Sequence, residues 1–473
     1  MRQTTIFDLP AEVLSEIFTQ HNNPAIWATC KTFATVAFST TSLWTTVYIS
    51  PHQFTTDGRD ILRKRISRAR GRLFDVRMWL TTEKEDDAKV SALCKVLSEF
   101  NAQIRSFQLT AVTPSISGAV VRDIFPKYEA MPALEVLSIL SEQELEDLCE
   151  CAAWPQLSWV LENVSTKFPN LRKLHMNIYH DVVPRLPSSP PFPHLTKLIL
   201  DGSLEQSCAR PSLIAALLHC TPQLESLWMK HHSYDTNKWF TVMGCSISKN
   251  IQLPKLKHLA VSTPGIACDL MGYITAPALE DLHLDGSRGA MYDEPPESID
   301  WHDGVLESVY NMLKLFASRC QNVRRFAITQ AYLSRSAWDW LLFGEDHERG
   351  PPFPKLECIA LRGVVYEYVH PDTWSEFDHL LMEKFARNPK IPLKRLALLH
   401  CSFPLRASAL VDVFRASGAK ELECDEYVPQ WEGGEREQFD ELGVSLMRHE
   451  SEADEDEWWT HEHEIDATDS KAY

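Results

Sequence analysis

The sequence lacks the short motifs that mark most enzymes and metal sites. It contains no Cys-x-x-Cys pair, no Gly-rich phosphate-binding loop and no Gly-x-Ser-x-Gly elbow. His461-x-His463 lies in an acidic segment, where no scaffold would fix the geometry of a ligand set. We therefore expect no catalytic residues, no metal ligands and no cofactor, and we predict that the chain is not an enzyme.

Long apolar runs are also absent. No stretch of about 18 uncharged apolar residues occurs, which argues against a membrane span and a membrane partner. Residues 1–14 are polar and lack the apolar centre of a signal peptide. The 12 cysteines are scattered, apart from Cys149 and Cys151, and this usage favours reduced thiols in the cytoplasm and/or the nucleus.

Basic residues are too few to balance the acidic ones. The net charge of −18 is concentrated in residues 425–473, which hold 17 acidic and 3 basic residues, whereas the preceding 424 residues carry only −4. A nearly neutral body argues against a nucleic-acid partner, because such a partner requires a basic surface. The acidic and polar composition beyond Gly433 predicts a disordered tail over 433–473.

One apolar signature, Leu-x-x-Leu-x-Leu, recurs about thirteen times along the chain. Its fourth and sixth residues alternate with a polar one, as in a half-buried strand. A proline often precedes it, and we place that proline at the first position of the strand. The eight clearest copies begin at Leu134, Leu171, Leu195, Leu224, Leu256, Leu279, Leu356 and Leu393. The weaker copies begin at Trp44, Leu73, Ile104, Val323 and Ala419.

The segments between the signatures often have the periodicity of amphipathic helices, most clearly Val305–Cys320. Strands that alternate with helices predict a parallel sheet with right-handed crossovers. The pattern resembles an irregular leucine-rich repeat over roughly residues 70–425. We therefore predict an α/β fold in which a repeat solenoid at 50–432 lies between a helical module at 5–49 and the tail. The alternative is a single α/β domain with coincidental leucines.

A helix with a clear start signal opens the N-terminal module. Asp8 is suited to cap this helix, and Pro10 is suited to its first turn. The apolar residues of the helix form one stripe, which consists of Val13, Leu14, Ile17 and Phe18. A second apolar segment follows and closes with Leu43-Trp44. A helical hairpin this small buries its stripe poorly, so the stripe is expected to cover a partner or the neighbouring repeats.

Three short motifs of this module resemble those of a fungal-type F-box. They are Leu-Pro-x-Glu-Val-Leu-x-x-Ile-Phe at 9–18, Cys-Lys-x-Phe at 30–33 and Ser-Leu-Trp at 42–44. The resemblance implies docking on the Skp-type adaptor of a cullin–RING ubiquitin ligase. It assigns the adaptor contact to Leu9, Pro10, Val13, Leu14, Ile17, Phe18, Cys30, Phe33, Leu43 and Trp44. Alternatively, these helices only cap the repeat array.

The positions between the apolar residues of each strand supply a candidate surface for a protein substrate. In a curved repeat array these positions face away from the core. The candidate residues are Lys173, His175, Lys197, Trp228, Lys230, His258, His283, Arg325, Arg362 and Arg395. Trp228, which has basic neighbours, is typical of an interface anchor. For any one of these residues the alternative is an ordinary solvated position.

The order of the two parts, an F-box-like module before repeats, predicts the substrate-recognition subunit of a Skp–cullin–F-box ubiquitin ligase. In that interpretation the module binds the adaptor, the repeats bind an unknown target protein, and catalysis belongs to other subunits. An alternative is an adaptor-independent repeat scaffold or histone-chaperone-like binder that uses the acidic tail. An enzyme with a site assembled from distant residues is the third and least favoured possibility.

Overall fold

Every copy of the apolar signature lies on a β-strand in the computed structural model of this chain. The fourth and sixth residues of the copy that begins at Leu134, which are Leu137 and Ile139, are buried, as is Leu134 itself. The same holds for the copies that begin at Leu195 and Leu256. The strand prediction is therefore confirmed, because the alternation of apolar and polar residues places one set of side chains in the core.

The structure describes a discontinuous set of residues. These are 9–21, 29–49, 55–80, 87–111, 120–121, 123–125, 130–141, 167–177, 192–202, 211–231, 250–262, 270–285, 313–329, 332–333, 352–362, 365–366, 393–399 and 421–424. The predicted tail at 433–473, residues 5–8 and 22–28 of the F-box-like module and residues 305–312 of the predicted helix Val305–Cys320 lie outside these ranges. Residues 313–317 of that predicted helix are helical.

Five helices are described over their full length. They are α1 (Ala11–His21), α2 (Lys31–Ser39), α3 (Thr56–Arg68), α4 (Asp87–Ser98) and α5 (Pro211–His219). Two 3₁₀ turns, Thr41–Trp44 and Asn101–Gln103, lead into strands. None of the helices in the described ranges is long and apolar enough to cross a membrane.

The strands are short, and most have four to eight residues. Those of the first half are β1 (Thr46–Ile49), β2 (Phe74–Leu80), β3 (Ile104–Ala111), β4 (Val136–Ser141), β5 (Lys173–Asn177), β6 (Lys197–Gly202), β7 (Ser226–His231), β8 (Ile251–Gln252), β9 (His258–Ser262) and β10 (Ile274–Thr275). Those of the second half are β11 (Asp281–Asp285), β12 (Arg325–Thr329), β13 (Tyr332–Leu333), β14 (Cys358–Arg362), β15 (Val365–Tyr366), β16 (Arg395–Leu399) and β17 (Glu421–Cys424).

The chain divides into two compact units. Unit 1 comprises Met1–Leu279, Ser287–Ile299 and Asn311–Cys320, and unit 2 comprises Glu280–Gly286, Asp300–Tyr310 and Gln321–Tyr473. In unit 1, strands β1, β2, β3, β4, β5, β6, β7 and β9 pair in that order, and β8 pairs with β10. In unit 2, strands β11, β12, β14, β16 and β17 pair in that order, and β13 pairs with β15.

Neighbouring strands within each unit run parallel and stay in the register of the signature. Leu137 faces Leu174, and Leu174 faces Leu198, so equivalent residues stack across the sheet. The pairing of β2 with β3 contains one register shift, next to Phe74. As a result Phe74, and not Leu73, lies opposite Ile104, the leading residue of the next signature. Phe74 is fully buried, whereas Leu73 is 42% exposed. The fold is thus α/β, with parallel strands and few helices, as predicted at this level.

The prolines that precede the strands lie in tight turns and not at the first strand position, which corrects the sequence prediction. In each of these turns that the structure describes, the N–H of the leading leucine donates to the carbonyl three residues earlier, as from Leu134 to Met131 at 3.1 Å. Proline occupies the second position, where its fixed φ suits a turn. The first turn residue is buried, as Met131, Phe192 and Phe353 show.

A charged row follows the leading apolar residues along each sheet. The carbonyl of Glu135 accepts hydrogen bonds from the N–H groups of both Arg172 and Lys173, and the residues equivalent to Glu135 do the same on later strands. Many row members carry charges of opposite sign to their neighbours. The paired side chains are Asp75–Arg105 at 2.7 Å, Glu225–Lys257 at 3.3 Å and Glu357–Lys394 at 2.8 Å. Each exposed pair contributes below about 1 kcal/mol.

Candidate functional site

The candidate residues of unit 1 meet on adjacent strands because the sheet stays in register. Lys173 of β5 faces Lys197 of β6, Lys197 faces Ser226 of β7, and Ser226 faces His258 of β9. Neighbouring strands lie about 4.8 Å apart, so these side chains form one continuous row. We call Lys173, His175, Lys197, Ser226, Trp228 and His258 the polar strand face.

Trp228 lies in the second row of this face, between Ile199 and Ala260. The ammonium group of Lys197 is 5.2 Å from the centre of the indole ring, which is a cation–π contact. Ile199 occupies an outward position by its alternation, yet it is buried beside Trp228. The sequence alone did not indicate this burial, because an isolated apolar residue at an outward position has no periodic signal.

Three polar side chains on consecutive strands connect through His175. Its Nδ1 lies 3.3 Å from Ser138 Oγ, and its Nε2 lies 3.7 Å from Asp201 Oδ2. The second distance is too long for a hydrogen bond. A hydroxyl, an imidazole and a carboxylate in line are the components of nucleophilic catalysis. Ser138 is only 4% exposed, however, so its hydroxyl is shielded from a substrate.

Two polar atoms of this face are buried without a hydrogen-bond partner among the described residues. They are Nε2 of His175 and Oγ of Ser226. Buried polar groups are normally satisfied, so these atoms are suited to meet a ligand or an ordered water. Burial also lowers the pKa of Lys173 to about 8. The polar strand face therefore carries one partly desolvated lysine, Lys173, and a second lysine, Lys197, in contact with an aromatic ring.

The candidate residues of unit 2 are more strongly engaged within the chain. Arg325 donates from Nη2 to Asp281 Oδ2 at 2.6 Å, and its Nε also donates to the same carboxylate. His283 Nε2 lies 3.2 Å from Thr329 Oγ1, which donates to Asp285 at 2.8 Å. Because of these contacts, Arg325 and His283 have fewer side-chain groups left to form hydrogen bonds with a partner.

The remaining candidates occupy the strand positions that the alternation predicted. Arg362 ends β14 and Arg395 begins β16, and Arg325 shares a row with Cys358 and Arg395. Lys230 lies on β7 opposite Asp201, but its side chain falls outside the described part of the structure. The structure thus groups Lys173, His175, Lys197, Trp228 and His258 in unit 1, and His283, Arg325, Arg362 and Arg395 in unit 2.

The N-terminal module has a small core of its own. Phe18 of α1 contacts Phe33 of α2 edge to face, with ring centres 5.4 Å apart. Ser15 and Thr40 share a hydrogen bond of 2.9 Å. The buried members of this core are Leu14, Phe18, Phe33, Val36, Ala37, Leu43, Trp44 and Ala69. Leu14, Phe18, Phe33, Leu43 and Trp44, which the sequence assigned to adaptor contact, are therefore core residues whose side chains are covered.

The other residues assigned to the adaptor contact remain accessible in part or in full. Pro10 is exposed, Val13 is 42% exposed, and Leu9, Ile17 and Cys30 are half-buried. Val13 and Ile17 are four residues apart and so lie on one side of α1, while Leu9 and Pro10 directly precede that helix. This second apolar stripe, Leu9, Pro10, Val13 and Ile17, lies beside the core stripe of Leu14 and Phe18.

Cys30 has a structural role that its residue type did not indicate. Its Sγ accepts a hydrogen bond of 3.4 Å from the N–H of Phe33, and its extended backbone conformation makes it the N-cap of α2. A serine or aspartate is the usual residue at such a position, so a cysteine there is not read as a capping residue.

Other kinds of site find little support in the described ranges. No group of three or more His, Cys, Asp or Glu side chains there could hold a metal ion. A cleft of about 470 Å³ lies at the edge of unit 1 where the chain enters the strands, away from the polar strand face. Its lining comprises Asn170, Arg172, Pro193, His194, Thr196 and Gln223. These residues belong to the turns and the charged row that recur along the sheet.

Comparisons with known proteins give no family for this chain. No protein-family model matches it, and no curated protein matches it. A crystal structure of a Bacteroides fragilis protein aligns with 59% of this chain and 65% of its own, at 15% identity and a TM-score of 0.31. The chain therefore spans less than two thirds of that protein, and the low score supports no conclusion about fold or function.

Proposed function

We propose that the protein is the substrate-recognition subunit of a Skp–cullin–F-box ubiquitin ligase. The N-terminal helices act as an F-box that binds the Skp-type adaptor, and the parallel strands form an irregular leucine-rich-repeat solenoid that binds a target protein. The protein itself catalyses no reaction in this proposal, because the other ligase subunits transfer ubiquitin. The chain carries no cofactor and acts in the cytoplasm and/or the nucleus.

The observation that supports adaptor binding is the second apolar stripe of α1. The module core already contains Leu14 and Phe18, so Pro10 and Val13 are not needed to complete it. Leu9 and Ile17 pack in part against this core, whereas Pro10 and Val13 remain exposed. Exposed apolar side chains at the start of a helix are suited to a helical or grooved partner surface. Leu9 and Pro10, which open the F-box-like motif at 9–18, belong to this stripe.

Adaptor binding can be tested by pull-down with a purified fungal Skp-type adaptor. We expect Val13→Glu to abolish binding, because it places a charge in the centre of the stripe. Leu73→Glu is the matched control, since Leu73 is also 42% exposed but lies outside the helical module. If wild-type protein does not bind the adaptor, or if both variants bind equally well, the F-box assignment is wrong.

Substrate binding is proposed for the polar strand face. Tryptophan is enriched among residues that dominate binding energy, and Trp228 is half-buried with the ammonium group of Lys197 over its ring. We expect Trp228→Ala to remove specific proteins from those that co-purify with the full chain while adaptor binding is retained. An unchanged set of co-purifying proteins would contradict this location.

The acidic C-terminal segment favours a second candidate function. Its net charge of −14 over residues 425–473 is suited to a basic protein partner, as in a repeat scaffold or a histone-chaperone-like binder. Deletion of residues 450–469 separates the two candidates. It should abolish a strongly salt-dependent interaction if the second is correct, and leave adaptor binding intact if the first is correct.

A further inference from the structure

One segment of this acidic chain is strongly basic. Residues 56–72, which comprise α3 and the turn after it, hold seven basic and two acidic residues, for a net charge of +5. The whole chain carries −18. A local concentration of one charge sign against the overall charge indicates a surface for a partner of the other sign.

Some of this positive charge is neutralised within the chain. Arg63 pairs with Asp60 at 3.3 Å and with Glu99 at 2.7 Å. On β2 the carboxylate of Asp75 is engaged by Arg105. These carboxylates are therefore engaged by other arginines, and Arg65 and Arg68 have no ion pair with any residue that the structure describes.

Arg68 lies against two aromatic rings. Its guanidinium carbon is 4.3 Å from the ring centre of Phe38 and 4.6 Å from that of Trp44. The two rings stack on each other, and Phe38 is 49% exposed. Stacking holds the planar guanidinium in one orientation, from which the N–H groups at its edge can donate to both oxygens of a carboxylate.

Arg65 continues the same surface toward the first strand. Its Nη2 donates to the carbonyl of Thr46 at 3.2 Å, but its Nε is buried and has no hydrogen-bond partner among the described residues. Burial and the nearby charge of Arg68 lower the pKa of Arg65, against a raising effect of Tyr48. An unsatisfied donor of this kind is suited to a partner that brings an acceptor.

Tyr48 and Arg77 extend the surface across the first two strands. They are partners in the β1–β2 register, and the Arg77 guanidinium carbon is 5.7 Å from the Tyr48 ring centre. Trp79 follows two residues later on the same side of β2 and is 43% exposed. We name Phe38, Tyr48, Arg65, Arg68, Arg77 and Trp79 the arginine–aromatic surface.

We propose that the arginine–aromatic surface binds an acidic segment of a partner protein. Its charged members are all arginines, and arginine, tyrosine and tryptophan are the residue types that dominate protein interfaces. Single-stranded nucleic acid also uses arginine and aromatic residues. The surface offers three arginines grouped around aromatic rings, and not the extended track of cations along which a nucleic-acid backbone binds, so a short acidic protein segment is the better fit. This inference does not depend on the proposed ligase function.

The test is fluorescence polarisation of the full chain with a labelled oligoglutamate peptide, beside an oligoglutamine peptide of equal length. We expect binding of the oligoglutamate peptide only, and about tenfold weaker binding for Arg68→Gln. Lys64→Gln is the matched control, because it removes the same charge from an exposed position on α3 outside the surface. This control should bind within about twofold of wild type.

Trp79→Ala provides a second variant that does not depend on the packing of Arg68, and we expect about tenfold weaker binding here too. Circular dichroism of each variant checks that it is folded. The proposal is overturned if oligoglutamate does not bind, if Lys64→Gln weakens binding as much as Arg68→Gln, or if Trp79→Ala has no effect. Tighter binding of a single-stranded RNA oligonucleotide than of oligoglutamate would also overturn it.

Discussion

The indole Nε1 of Trp44 donates a hydrogen bond of 3.0 Å to the backbone carbonyl of Ala37. This buried contact ties the 3₁₀ turn Thr41–Trp44 to the end of α2, directly before strand β1 begins at Thr46. The N-terminal helices are thereby joined to the first strand of the sheet through a packed side chain as well as through the chain itself.

The Trp44 contact predicts a measurable loss of stability in Trp44→Phe. The carbonyl of Ala37 also accepts from Thr40 N–H at 3.2 Å, so it is not left without a partner. We expect the free energy of unfolding to fall by about 1–3 kcal/mol, from the lost hydrogen bond and the smaller ring. Urea denaturation measures this change. Ile61→Ala, at a position 60% exposed, should stay within about 0.5 kcal/mol of wild type.

Leu73 and Leu224 both stand at the leading position of a signature, but the register of β2 predicts that they contribute differently to the free energy of unfolding. Leu224 is fully buried at the leading position of its signature, whereas Leu73 is exposed because Phe74 takes that position. Leu224→Ala should lower the free energy of unfolding by about 2–5 kcal/mol, and Leu73→Ala by less than about 0.5 kcal/mol. Similar losses in both variants, measured by denaturant titration, would show that the register of β2 is wrong.

The ion pairs of the sheets should differ in strength according to burial. The side chain of Asp281 is only 1% exposed and receives two hydrogen bonds from Arg325, whereas the side chain of Asp75, which pairs with Arg105, is 24% exposed. We expect Arg325→Ala to lower the free energy of unfolding by about 2–3 kcal/mol, because a buried carboxylate loses its cation. Arg105→Ala should lower it by less than about 1 kcal/mol, and only at low salt. Equal effects at low and high salt would contradict this ranking.

Lys173 predicts a pH dependence of stability in the alkaline range. Burial lowers its pKa to about 8 from the ordinary 10.5, so between these values the unfolded chain binds more protons than the folded one. Stability should therefore rise with pH in this window, relative to Lys173→Met, which carries no titrating group. Denaturation of both proteins from pH 7 to pH 11 measures the difference. Parallel curves would mean that Lys173 is not desolvated.

The buried thiols predict a fixed order of alkylation. Burial raises the pKa of Cys320 to about 12, which leaves almost no thiolate at neutral pH. Among the described cysteines, Cys94, Cys220, Cys320 and Cys358 are buried and Cys30 is half-buried. We expect iodoacetamide to modify Cys30 in the folded protein and Cys320 only with unfolding, as followed by peptide mass spectrometry. Equal rates at the two sites in the folded state would contradict the described packing.

The strands were predictable from the sequence because their signal is local and repeated. The alternation around Leu137 and Leu174 sets which side chains enter the core, and each copy of the signature repeats that information. The helix at Pro211–His219 agrees with the apolar spacing of residues 212–219. The parallel direction follows from the crossover connections.

Other features could not be predicted, because they depend on contacts between distant residues. The sequence does not distinguish Leu73 from Phe74 at the leading position, since both are apolar and only the pairing with β3 decides between them. Nor does it separate Val13, which is exposed, from Leu14, which is buried against Phe18 and Phe33. The arginine–aromatic surface depends on residues from α2, α3, β1 and β2, so no single segment indicates it.

The alternating signs of the charged row have a consequence for how strands find their neighbours. Glu135 lies between Arg105 and Arg172, and Glu357 lies between Arg324 and Lys394. If β3 skipped β4 and paired with β5 during folding, Arg105 would lie beside Arg172. If β12 skipped β14 and paired with β16, Arg324 would lie beside Lys394. Apolar residues would match equally well in that misassembled sheet, because the signature is the same in each copy. Repulsion between like charges therefore destabilises a sheet in which one strand is skipped, whereas the leucines do not distinguish that sheet from the correct one.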